Sequence, residues 1–287
     1  MASRRAAPLA RRLAELYGVA AVDVGYAGMK DKRAVTSQWF SLRGVDALDE
    51  SVTEIDGVRL LGQTRHSRKL RRGELAGNDF CIRLRSVDAA KAQIQLAALA
   101  DNGAPNYFGT QRFGWDNLEK AMAWLSNRRR RRVSRFKQSL YLSVLRSFLF
   151  NEVLARRVAA GNWNRVMEGD CLDEHGDPTG PLWGRGRSAT DALAATLEAS
   201  ALEPHHMLLE GLEHAGVTQA RRSFVLRPEQ LSAEPLDDGV EVRFSLGPGG
   251  YATSLLADRF LLIEGPESQA GDASEEYGAR IAGGGER

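Results

Sequence analysis

Gly25-Tyr26-Ala27-Gly28-Met29-Lys30-Asp31-Lys32-Arg33-Ala34-Val35-Thr36 holds one carboxylate, Asp31, between two lysines and an arginine. A short apolar run, residues 20–24, precedes it. After it Val35, Ser37, Trp39 and Ser41 alternate with Thr36, Gln38, Phe40 and Leu42. This pattern predicts two strands flanking a loop. Gly25 and Gly28 open backbone conformations closed to other residues and let another molecule approach the main chain. A lone acid in a basic, glycine-punctuated loop suits a site that receives a polyanion and does chemistry on it. The same spacing also fits a solvated turn with surface ion pairs.

Working outward, the chain of 287 residues is long enough for one large domain or two smaller ones. A hydrophobic content of 43% and a charged content of 26% are ordinary for a globular protein. The net charge of +2 excludes a general polycation, so the positive charge is local. It gathers at Arg65-His66-Ser67-Arg68-Lys69-Leu70-Arg71-Arg72 and at Arg128 to Arg132, continuing to Arg135 and Lys137. Such clusters, rather than the total, recruit phosphates. For Arg128 to Arg132 a solvated face is an equal alternative. Cys81 and Cys171 stand far apart and form no metal-type pair, which points to a reduced, cytoplasmic compartment without structural zinc. No apolar stretch approaches membrane-spanning length, and the basic start lacks the apolar core of a secretory signal.

Leu9, Leu13 and Leu16 lie at helical spacing ahead of Gly18. Residues 45–54 read as a connector and 58–62 as a strand. In residues 79–85, Phe80, Ile82 and Leu84 alternate with Cys81, Arg83 and Arg85, the signature of a strand with one buried face. Asp88 suits the N-cap of a helix over 89–100, with Ile94, Ala97 and Ala98 inward. Residues 103–115 read as a structured loop, and Asn117 opens a helix to about 127. A long helix is expected over 134–160, with Leu140, Val144, Leu145, Phe148 and Leu149 as its stripe. Residues 161–186 look loop-rich, and helices follow at 188–199 and 204–213. Strands return at 224–226 and 240–246. Gly247 to Gly250 turn the chain into a closing helix over 251–262, with Leu255, Leu256 and Phe260 inward. The tail, 264–287, has a disordered composition. Strands, then helices, then strands predict an α+β domain interrupted by a mainly helical insertion.

Dinucleotide and nucleoside-triphosphate glycine motifs are absent, and no histidine pair has metal-ligand spacing; His205 and His206 diverge on a helix. What remains is one loop carboxylate, two basic clusters and several aromatics beside glycines. The stretch from Gly25 through Ser37-Gln38-Trp39 closely resembles the signature loop of the TruD family of tRNA pseudouridine synthases. The resemblance continues through Arg65 to Gly73, Gly77-Asn78-Asp79-Phe80 and Pro105-Asn106-Tyr107-Phe108-Gly109-Thr110-Gln111-Arg112-Phe113-Gly114. It resumes at Gly249-Gly250-Tyr251-Ala252-Thr253-Ser254. Five blocks in order are a specific signal where one would be weak.

This resemblance implies a pseudouridine-synthase mixed sheet with helices. The expected division is a discontinuous catalytic domain, residues 1–105 and 221–263, with an insertion domain at 106–220 and an RNA-binding cleft between them. The implied reaction breaks the N-glycosidic bond of uridine 13 in a subset of tRNAs, turns the base and rejoins it through carbon. It uses no cofactor and no metal. The expected partner is tRNA, bound by a monomer away from membranes. Asp31 matches the catalytic aspartate, as nucleophile or as base acting on the ribose. Phe80 matches the aromatic that stacks on the target base, Asn78 a substrate-contacting amide, and Tyr251 an aromatic substrate contact that also suits plain packing. Lys30 either holds Asp31 ionised or serves a phosphate. Arg65, Arg68, Lys69, Arg71 and Arg72 are expected along the RNA backbone.

Family members carry a longer segment before the Leu9 helix. The expectation here is a sheet edge left unpaired or filled differently, with full activity in question. A non-catalytic tRNA-binding or tRNA-folding protein is therefore the alternative. An RNA nuclease or base hydrolase using Asp31 is less favoured, because no metal cluster or histidine base accompanies it in the sequence.

Overall fold

The computed structural model describes residues 6–28, 30, 34–46, 53–55, 57–71, 73–126 and 133–263. Asp31, Arg72, Arg128 to Arg132 and the tail 264–287 lie outside the described residues. The chain divides into two compact units, one of residues 1–76 with 263–287 and the other of residues 77–262.

In the first unit, helix α1 (Ala6–Leu16) packs on strand β1 (Val24–Tyr26). β1 pairs antiparallel with β2 (Phe40–Leu42), in the register Val24–Leu42, Gly25–Ser41 and Tyr26–Phe40. The helix is where expected but turned. Its buried face is Ala6, Ala10, Leu13 and Ala14, and Leu16 is exposed. Small residues let the helix settle close on Val24 and Tyr26, whose ring meets Phe40 at 5.6 Å. Residues 21–23 form a turn of 3₁₀ helix where a strand was predicted, and only the last three residues of the alternating run pair. A strand extends only as far as its partner, and β1 offers three residues. A small hairpin, β3 (Glu54–Ile55) with β4 (Val58–Arg59), completes the described part.

The second unit opens with strand β5 (Asn78–Arg85), alternating as predicted. Helix α2 (Ala89–Asn102) follows, its first turn capped by Asp88, which accepts from the Lys91 amide at 2.8 Å. Its inward positions are Ala92, Leu96 and Leu99; Ile94 is 70% exposed, a correction to the expected face. The cap fixes where the helix starts, and the i, i+4, i+7 row that meets the sheet then excludes position 94. Next come β6 (Ala104–Pro105), α3 (Thr110–Phe113), α4 (Asn117–Ser126) and the 25-residue α5 (Arg135–Ala159), capped by Ser134. Leu140 and Phe148 of the expected α5 stripe are half-buried, while Leu142, Phe150, Val153 and Leu154 join its core.

The remaining elements are β7 (Thr179–Leu182), α6 (Ala192–Leu202), α7 (His206–His214), β8 (Ala220–Ser223), β9 (Val225–Leu226), β10 (Glu229–Leu236), β11 (Gly239–Leu246) and α8 (Ala252–Ala257). β11 is the middle of a three-stranded antiparallel sheet, ordered β10-β11-β5. β7 with β8, and β6 with β9, are short antiparallel pairs. One apolar core gathers Leu84 to Ala104 with Leu226 to Leu256, between the sheet, α2 and α8. A second runs from Phe108 to Phe224, around α5. The fold is α+β, as the strand–helix–strand order predicted.

Candidate functional site

The first unit holds the loop that carries Asp31. At Gly25 a methyl group would run into the Leu70 carbonyl oxygen and stand 2.7 Å from Ser41 Oγ and 2.8 Å from the Lys69 side chain. Glycine is required there because the basic segment crosses the β1–β2 pair directly. Ser41 Oγ accepts from the Leu70 amide at 2.9 Å, and Lys69 Nζ donates to the Val22 carbonyl. Gly28, at φ +85°, takes the turn out of β1, with Leu75 packed beside it. Lys69, Leu70 and Leu75 thus lie against the strands and the start of the loop. Gly25→Ala is expected to cost this unit about 1–3 kcal/mol by overpacking, seen as earlier urea unfolding and faster proteolysis within residues 6–76. An unchanged midpoint would contradict the close crossing.

The expected backbone contacts differ in what already holds them. Arg65 donates to the Asp46 carbonyl at 3.1 Å, and Arg68 pairs with Glu74 at 3.0 Å. Arg71 is exposed, its amide donating to Glu74, and Lys30 is half-buried. Of this group only Arg71 presents its side chain to solvent with no partner among the described residues.

Asn78, Phe80 and Tyr251 belong to the second unit. Asn78 and Phe80 alternate onto one face of β5. Phe80 stacks on Phe244 across the strand pair, ring centroids 5.3 Å apart and 24° from parallel, which fixes its ring plane. Asn78 pairs with Leu246, and the 247–250 turn leads from Leu246 to Tyr251, the residue just before α8. All three therefore sit at one end of the sheet. Tyr251 is half-buried against the α5 core.

Two side chains that sequence reasoning passed over organise this end. Arg222, on β8, donates to Asn106 Oδ1 at 2.5 Å and to the Gly249 carbonyl at 3.1 Å, and its guanidinium lies 4.2 Å over the Phe108 ring. Burial, with the nearby Arg112 charge adding to it, pulls the Arg222 pKa down to about 10, against an opposing pull from Tyr251. Asn151, on α5, brackets Phe108 by accepting from its amide and donating to its carbonyl, both at 3.0 Å. The 106–114 block is thereby tied to the 249–251 turn. Arg221 and Arg222 stand at the expected domain boundary, and nothing local in the sequence distinguishes the one that reaches Asn106 and Gly249.

The sequence model of the tRNA pseudouridine synthase D (TruD) family matches residues 3–122. The tRNA pseudouridine synthase D of Methylococcus capsulatus is 42% identical over 280 residues, covering 87% of this chain and 79% of that protein. The Aeromonas hydrophila protein of the same name is 37% identical over 287 residues, covering 90% and 80%. Among solved structures, a Methanosarcina mazei crystal structure carrying the TruD name superposes with a TM-score of 0.63 at 20% identity, over 88% of this chain and 84% of that one. That likeness establishes the fold, and the curated relatives establish the kinship. The chain belongs to the tRNA pseudouridine synthase D family, a family of isomerases.

Proposed function

We propose that the protein isomerises uridine 13 to pseudouridine in a subset of tRNAs, with Asp31 as its catalytic carboxylate. The observation that carries the reading is the relation to tRNA pseudouridine synthases at 37–42% identity over nearly the whole chain, with the Asp31 loop inside the matched family segment. In the reaction the N1–C1′ bond breaks and a C5–C1′ bond forms. The proton leaves C5 and N1 gains one, so nothing is consumed and no redox partner is called for. An ionised Asp31 serves either as nucleophile toward the nucleoside or as base on the ribose.

The other roles follow the same reading. Phe80, held by Phe244, stacks on the extruded uracil; Asn78 supplies an amide to it, and Tyr251 closes the same end of the sheet. Lys30 favours the ionised form of Asp31. Arg65, Arg68, Lys69, Arg71 and Arg72 track the tRNA backbone, with Arg71 the best presented. The enzyme works as a monomer on tRNA, without cofactor or metal. The division into a catalytic domain, 1–105 with 221–263, and an insertion at 106–220 is supported by the two separate apolar cores of the second unit. One closes on Ala104 and Leu226 and the other spans Phe108 to Phe224. Among the described residues no helix is long and apolar enough to cross a membrane.

The test is incubation of the wild-type protein with unmodified tRNA. Pseudouridine is mapped chemically, and loss of the C5 hydrogen is followed by tritium release from 5-tritiated uridine. The expected result is one modified uridine, at position 13. Tight binding with no pseudouridine would instead mark a non-catalytic tRNA-binding protein.

A further inference from the structure

Within the second unit a cavity of about 500 Å³ opens beside α3 and the first half of α5. Phe108 and Leu182 line it together with four arginines: Arg112, Arg135, Arg146 and Arg222. Three serines of α5 add hydroxyls to the wall, and none of the lining residues carries a carboxylate.

The way these arginines are anchored separates them from the rest of the unit. Arg112 donates to Ser143 Oγ at 3.2 Å. Arg146 donates to the carbonyls of Leu182 at 2.7 Å and Thr218 at 2.8 Å. Arg222 is held by an amide oxygen and a carbonyl. Every one of these anchors is neutral. Elsewhere in the unit, arginines drawn inward meet carboxylates: Arg157 with Asp170, Arg221 with Glu198, Arg243 with Glu241. Three of the lining arginines also keep one terminal guanidinium nitrogen each without a hydrogen bond among the described residues: Nη2 of Arg112, Nη1 of Arg146 and Nη1 of Arg222. Burial lowers the pKa of Arg146 and Arg222, so their charged forms are held at a cost. Three arginines lining one cavity with spare guanidinium donors suit an oxyanion, and the volume accommodates a phosphate with its neighbouring ribose.

We propose that the pocket formed by Arg112, Arg146 and Arg222, with Arg135 at its mouth, is a phosphate site that grips one backbone phosphate of the tRNA substrate. The identity of the polymer rests on the function proposed above; the phosphate chemistry stands on the pocket alone. The site anchors RNA through elements of the 106–222 region, separately from the 65–72 cluster, which belongs to the other unit.

The experiment measures binding of unmodified tRNA to the full chain by fluorescence anisotropy across a salt series. Arg112→Gln keeps the pocket's shape and removes one charge. It is expected to weaken binding about tenfold and to flatten the slope of log affinity against log salt by about 0.7–0.9. Arg135→Gln, on the exposed first turn of α5, is expected to act in the same direction and carries the test if Arg112→Gln unfolds early in a thermal melt. Affinity and slope unchanged in both variants overturn the proposal. A second arm adds inorganic phosphate or uridine monophosphate and follows the melting temperature. Stabilisation that Arg112→Gln abolishes, with tRNA binding untouched, overturns the backbone assignment in favour of a free phosphate compound. The pseudouridine assay on wild type separates the two readings. Turnover with a normal Arg112→Gln affinity removes the pocket and leaves the function. No turnover with a lost Arg112→Gln affinity does the reverse.

Discussion

Asp31→Ala is expected to abolish pseudouridine formation, a fall of at least about 10³-fold in single-turnover rate, while tRNA affinity stays within about twofold of wild type. The size follows from the absence of a substitute. Between Gly25 and Thr36 no other acid is present, and the loop is otherwise glycine, apolar or basic. A loss of about 10³ corresponds to roughly 4 kcal/mol of barrier, within what removal of a nucleophile or general base produces. Affinity is expected to survive because phosphate contacts, carried by arginines and lysines, supply most of it. Asp31→Asn sharpens the test: it keeps the shape and hydrogen-bonding reach and removes the charge and the basicity. A single-turnover rate within about tenfold of wild type in either variant would take Asp31 out of the chemistry. Lost binding in both would make it a structural element of the loop.

The fold was most legible where local pattern and long-range pairing agree. Phe80, Ile82 and Leu84 alternate because β5 has β11 beside it over eight residues, and Asp88 and Ser134 cap the helices they precede. Legibility failed where tertiary contacts overrule the local pattern. Thr179-Gly180-Pro181-Leu182 does not read as a strand, yet β7 pairs with β8. Gly180 is there because a side chain would meet the Phe224 ring, 2.6 Å from its Cζ. β10 hides behind Pro235 and a register shift between Glu229 and Ser232, features tolerated because it is an edge strand. In the first unit the apolar alternation from Val35 to Leu42 outruns its three-residue partner, and Val35 and Trp39 stay exposed.

The candidate site divides along the same line. The Asp31 loop, Asn78, Phe80 and Tyr251 were readable because family blocks mark them. Arg112, Arg146 and Arg222 were not singled out, since a pocket assembled from α3, α5 and β8 has no signature in any one stretch.

The largest stability effect is expected at Arg157 and Asp170. Both side chains are almost fully buried, at 1% and 2% exposure, and the carboxylate takes both guanidinium nitrogens, at 3.2 and 3.0 Å. Asp170 also accepts from the Met167 amide at 2.8 Å, Arg157 donates to the Arg165 carbonyl at 2.7 Å, and its guanidinium lies over Phe224 at 5.4 Å. The pair therefore ties the end of α5 to the 165–170 loop and to the α5 core. Asp170→Ala leaves an uncompensated charge with no route to water, and a loss of about 3–5 kcal/mol is expected, read as a fall of roughly 10 °C or more in melting temperature. The surface pair Arg12–Glu15, at 54% and 66% exposure, is the control, and its removal is expected to have little effect. Replacing both partners, Arg157→Met with Asp170→Ala, is expected to recover much of the loss, because the penalty lies in the orphaned charge rather than in the missing attraction. If Asp170→Ala costs less than about 1 kcal/mol, water reaches the guanidinium and the core around Phe224 is looser than its packing indicates. If the double replacement is as damaging as the single one, the two residues matter for the loop geometry they fix.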